Sequence, residues 1–189
     1  MAIKTMSAST GGNGQYSSGW HELTISKAEY GVYKSPNGDK RYIDVWFNDY
    51  PQNMNLRVYE TVAKQSGEEF RIANLFKYAN AGIISKMDDP TGKRPRYQYD
   101  DEASGLVGKR VNVYFYKETK TGKGYSRMFD NIAPVEQEGE VISYSADAVN
   151  AIKSGVEANY LRLHGNNSAS NGFANTTQGS NSDLDSAPF

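Results

Sequence analysis

The chain contains no cysteine. That excludes a disulfide framework, a Cys-ligated zinc and a Cys nucleophile together, and it fits a reducing compartment. There are only two histidines, His21 and His164, in 189 residues. No second His follows His21 at helical spacing, so a His-based zinc site is not expected. No run approaches the roughly 18 apolar residues of a membrane span. Met1 to Gln15 lacks an apolar stretch, so a signal peptide is not expected and the expected location is the cytoplasm. The net charge of -1 provides no overall basic field. After Arg162 there is no Lys or Arg at all.

What is present is unevenly placed. Between Lys34 and Arg127 there are 17 basic and 12 acidic residues, so an excess of five positive charges sits at the centre and the ends are acidic. For a nucleic-acid binder the distribution of charge matters more than its sum. The 14 tyrosines are a second cue. Tyr offers a flat face for stacking and a hydroxyl for phosphate or water.

Alternating apolar residues predict short strands. Trp20 to Lys34 turns Leu23 and Ile25 to one face. Ser35-Pro36-Asn37-Gly38-Asp39 is a turn signal. Lys40 to Tyr50 sets Ile43, Val45 and Phe47 against Tyr42, Asp44, Trp46 and Asn48. After Pro51-Gln52-Asn53, a third strand over Asn55 to Thr61 sets Leu56 and Val58 against Arg57 and Tyr59. A helix is predicted next, with Ser66 as N-cap, Glu69 in capping-box position and Gly82 as the stop. Asp88 to Gly105, with Pro90, Gly92 and Pro95, reads as a long irregular loop. Lys109 to Glu118 sets Val111, Val113 and Phe115 against Arg110, Asn112, Tyr114 and Tyr116. A basic loop, Thr119 to Gly124, leads to a returning strand, Tyr125 to Ile132. The acidic Glu136, Glu138 and Glu140 break the pattern, and Ser145 to Leu163 reads as a helix.

The organisation expected is a flexible arm over 1–18, a nucleic-acid-binding domain over 19–135, an acidic linker and helix over 136–163, and a disordered tail over 164–189. Five short strands with a helix between the third and fourth is the order of a five-stranded OB-fold barrel, making the protein mainly β. If the aliphatic faces line the barrel, the opposite faces present Tyr42, Trp46, Arg57, Tyr59, Arg110, Tyr114, Tyr116, Tyr125 and Arg127. Lys120 and Lys123 in the hairpin loop join them. Rings that stack bases and cations that track phosphates form a platform for single-stranded nucleic acid. Taken singly, each Tyr reads first as a structural residue on a pleated surface, and the platform rests on the set lying together with Arg.

The tail ends Ser182-Asp183-Leu184-Asp185-Ser186-Ala187-Pro188-Phe189. Asp183, Asp185, Pro188 and Phe189 form a compact acidic and aromatic hook that a basic pocket on a partner could read. With these strands and this tip, the chain resembles single-stranded DNA-binding proteins, especially those encoded by bacteriophages. The tip resembles the acidic Pro-Phe ending of the bacterial members. The resemblance implies binding of single-stranded DNA without sequence preference, no enzymatic activity and no cofactor. It further implies recruitment of replication, recombination and repair proteins through the tip. Two departures stand out. The bacterial tip has consecutive acids before Ile-Pro-Phe, whereas here Leu184 separates two acids and Ser and Ala follow. The 88–105 stretch and the 145–163 helix also lie outside the bacterial pattern. Two other classes fit the residues less closely. One is a phage nuclease or recombination enzyme using Asp44, Asp49 and Glu60 on a metal. The other is a β-barrel protein-interaction module of a virion.

Overall fold

The computed structural model describes residues 16–36, 38–64, 66–88, 95–120 and 123–164, with the side chains at 119, 120 and 123 outside that set. Strands β1 (Gly19–Tyr33), β2 (Lys40–Phe47) and β3 (Leu56–Tyr59) are followed by helix α1 (Arg71–Ala79). A hairpin of β4 (Ile83–Met87) and β5 (Arg96–Tyr99) comes next, then a 3-10 turn at Ala103–Leu106. Strands β6 (Arg110–Lys120) and β7 (Lys123–Ala133) and helix α2 (Ala146–His164) complete the order.

Five strands form one antiparallel sheet in the order β3-β2-β1-β6-β7. Strand β1 is long enough to serve both halves. Residues 19–24 pair with β6, and residues 25–33 pair with β2. The alternation fixes which faces are apolar, and those faces meet: Ile43, Val45, Val111, Val113 and Phe115 are fully buried. Helix α1 plugs the core with Ile72, Leu75 and Phe76, each about 1.5–3 kcal/mol of apolar burial. The expected closed barrel is not what forms. The edge strands β3 and β7 approach each other, but among the described residues no hydrogen-bonded ladder joins them. With only four residues, β3 offers little edge to pair. Arg71, at the start of α1, instead reaches β7, with a 2.8 Å ion pair to Asp130 and a 2.6 Å hydrogen bond to Asn131.

Three local expectations also need correction. Phe70, not Ser66, is the N-cap of α1, and its side chain makes no cap bond. Glu69 does the capping: its carboxylate accepts from the N–H groups of Arg71, Ile72 and Ala73 at 2.7–2.8 Å. The helix stops at Asn80, in left-handed conformation (φ 50°), two residues before Gly82. The stretch from 88 to 105 is not one irregular loop, since β5 and the 3-10 turn lie in it and β5 pairs with β4.

The acidic segment after β7 packs on the end of α1. Gln137 donates to the carbonyl of Tyr78, Asn80 to that of Ile142 and the Tyr144 hydroxyl to that of Lys77. Glu136, Glu138 and Glu140 stay exposed. Helix α2 then runs back over β7. No described helix is long and apolar enough to cross a membrane.

Candidate nucleic-acid interface

The outer face of β1, β2 and β3 carries the densest set of rings and cations, and one irregularity creates it. Two β1 residues oppose one of β2 between Ile25 and Lys27. Such a bulge reverses the facing of everything after it. Simple alternation from Leu23 and Ile25 would send Lys27, Glu29, Gly31 and Tyr33 into the core. Instead they pair with Trp46, Asp44, Tyr42 and Lys40 and share the outer face with them. Tyr30 turns inward in their place, opposite Ile43.

At the centre of this face is a four-residue stack. Gly31 lies directly across from Tyr42, and a β-carbon added at Gly31 would collide with the Tyr42 ring. The ring therefore occupies the space over the glycine, an aromatic filling the room left by a missing side chain. Over the ring sits the Arg57 guanidinium, its Cζ 3.9 Å from the ring centroid. Asp44 holds that guanidinium in a fork, accepting from Nε at 2.8 Å and Nη2 at 2.7 Å. Hydrogen bonding to Asp44 raises the already high pKa of Arg57, so the charge is permanent. The Asp44 side chain is 11% exposed and that of Arg57 is 39% exposed, so the carboxylate anchors and the cation faces outward.

Flanking rings extend the surface. Tyr59 meets Tyr42 edge-on at 5.8 Å, and the half-exposed Tyr33 meets Tyr59 edge-on at 6.4 Å. On the other side Trp46 donates its indole N–H to the carbonyl of Gln52 at 2.8 Å. Lys27 lies 4.7 Å from the Trp46 ring centroid and 2.8 Å from Glu29. The turn after β1, closed by Gly38 N–H to the Ser35 carbonyl, leaves Lys34 and Lys40 exposed at its two ends.

The structure thus brings Tyr42, Trp46, Arg57 and Tyr59 together, shows Asp44 beside them as Arg57's anchor, and adds Lys27, Gly31 and Tyr33, which alternation alone does not place there. The remaining candidates lie elsewhere. Tyr114 and Tyr116 sit under α2, where Tyr160 packs against both at 5.3 and 5.2 Å. Burial pushes both phenols above their usual pKa. Tyr125 is 44% exposed. Arg110 pairs with Glu22 at 2.5 Å and Arg127 with Glu118 at 3.1 Å. The side chains of Lys120 and Lys123 lie outside the described residues, as does the whole tail with Asp183, Asp185, Pro188 and Phe189.

The metal-site alternative finds Asp44 engaged by Arg57, and among the described residues no three His, Asp or Glu side chains group to hold a metal. No family model matches the chain, and no curated protein matches it.

Proposed function

We propose that the protein binds single-stranded DNA without sequence preference, through the outer face of β1, β2 and β3, on an OB-type sheet. The observation that carries this reading is the Gly31–Tyr42–Arg57–Asp44 stack. A guanidinium clamped flat on an aromatic ring is a rigid, positively charged plane. Its outward side accepts a base by stacking and cation–π attraction. Rigidity limits the ordering cost of binding. Trp46, Tyr33 and Tyr59 supply further flat surfaces, and Lys27, Lys34 and Lys40 lie where a phosphate backbone would pass. The OB reading draws support from β1 shared between two half-sheets and from α1 following the third strand. The protein would coat exposed strand during replication, recombination or repair, while the acidic tail offers Phe189 to partner proteins.

The test is titration of a fluorescent oligo(dT) of ~30 nucleotides, long enough for several contacts on an OB-type face. Binding should weaken steeply between about 50 and 200 mM salt as counterions are released. A duplex of equal length should bind weakly. No binding to oligo(dT) at low salt would defeat the proposal.

A further inference from the structure

Helix α2 is held to the sheet in an unusual way. Its aliphatic Leu161 and Leu163 are 62% and 51% exposed, and only Val149 along the whole helix is buried. Near its start Val149 and Ile152 pack on the core, but from Glu157 onward what faces the sheet is aromatic and polar. Tyr160 and His164 stack on each other at 4.7 Å and pack against Tyr116 and Phe129. Glu157 accepts a 2.5 Å hydrogen bond from the indole N–H of Trp20, and Lys153 lies 5.5 Å from the Trp20 ring centroid. Trp20 in turn meets Tyr114 edge-on at 5.4 Å. The last turns leave Leu161 and Leu163 in solvent, where a helix docked for stability alone would continue the aliphatic stripe begun by Val149 and Ile152.

We propose that α2 covers a second stacking surface for single-stranded nucleic acid, made by Trp20, Tyr114 and Tyr116, and occupies it by imitating bases. The inference rests on the single-strand reading above. A pyrimidine base offers what α2 presents to this surface: a flat ring, and an acceptor oxygen for the Trp20 N–H. The rings of Tyr160 and His164 stand where bases would stack, and the Glu157 carboxylate stands where a base carbonyl would accept. The patch lies beside the β6–β7 ladder, where Tyr116 pairs with Arg127, so a cation for the backbone is at hand. A strand long enough to leave the first face would displace α2 and continue here.

The chain's two tryptophans make the two surfaces separately readable. With red-edge excitation that bypasses tyrosine, Trp46→Phe reports Trp20 alone and Trp20→Phe reports Trp46 alone. Both full-length variants are titrated with oligo(dT) of increasing length and with duplex. The expected result is quenching of Trp46 by short strands and of Trp20 by longer ones, with neither responding to duplex. A Tyr160→Ala/His164→Ala variant removes the cover, so it should bind long oligo(dT) roughly tenfold more tightly, the worth of one stacked base. It should also show Trp20 quenching at shorter lengths. Quenching of Trp46 with a silent Trp20, in both wild-type and uncovered backgrounds, would overturn this inference and leave the proposed function standing. Silence of both would overturn the two together. A Trp20 signal that follows protein concentration without oligonucleotide would mark self-association through this face and overturn the inference.

Discussion

Replacing Gly31 by Ala should destabilise the protein, although Ala normally outperforms Gly in a strand. The backbone gain alone is about 0.5–1 kcal/mol in favour of Ala. Against it stands the Tyr42 ring, which occupies the space a β-carbon needs. The ring is not free to move, because Arg57 lies over it and Asp44 locks Arg57. Displacing it forfeits a solvent-facing cation–π contact of about 0.5–1 kcal/mol and an edge contact with Tyr59 of about 0.5–1.5 kcal/mol. The net expectation is a loss of about 1 kcal/mol, or about 2–4 °C in Tm for a chain of this size. Oligo(dT) affinity should fall on the order of tenfold as the Arg57 plane loses its support. The decisive assay is a double-mutant cycle by thermal unfolding. In a Tyr42→Ala background the obstacle is gone, and Gly31→Ala should become stabilising by about 0.5–1 kcal/mol. If Gly31→Ala is equally stabilising in both backgrounds and leaves oligo(dT) binding unchanged, Tyr42 is not held against Gly31 and the stack argument fails.

Other consequences are as direct. Glu69→Ala removes the acceptor for three amide groups at the start of α1 and should cost about 1–2 kcal/mol in denaturant unfolding, with Glu69→Gln costing less. Glu118→Gln releases Arg127 from its ion pair. It should tighten oligo(dT) binding at low salt and steepen the logarithmic salt slope by about 0.7, and an unchanged slope would show that Arg127 never meets phosphate. Burial holds the Tyr144 phenol well above its ordinary value. Because the folded form keeps that proton longer than the unfolded chain does, the stabilisation is intact below about pH 10 and is lost as pH rises beyond it, by about 1.4 kcal/mol per pH unit. Tyr144→Phe should therefore flatten the alkaline decline of Tm measured from pH 9 to 12, and an identical decline would refute the assignment.

Much of the fold was legible in the chain because the relevant physics is local. Ile43, Val45 and Phe47 alternate with Tyr42, Asp44 and Trp46, and a two-residue period has only one way to bury its apolar members. The same holds for Leu56 and Val58 beside Arg57 and Tyr59, so half of the proposed platform could be read without coordinates. Helix α2 was equally visible, within a residue or two of its observed ends. The outer-face residues of β1 were not. Alternation carries no mark of the bulge between Ile25 and Lys27, which depends on how β1 bends to serve two partners. Lys27, Gly31 and Tyr33 therefore joined the outer face only when the sheet was assembled. The helix starts at Arg71 with the Glu69 side chain, not Ser66, capping it, because a carboxylate can satisfy several amides at once and α1 begins where packing on the core begins.

The sequence by itself determined the faces of β2, β3 and β6, the central basic excess and the order of the rings along the chain, since each follows from neighbours a few residues apart. Tertiary structure alone decided which rings are open and which are covered. Tyr42 and Tyr116 carry the same local signature, a Tyr on the polar side of an alternating strand. One lies under Arg57 on an exposed sheet and the other under Tyr160 and His164. What separates them is the path of α2, more than 25 residues further along the chain from Tyr116 and returning over β7, a long-range packing choice that no local pattern encodes.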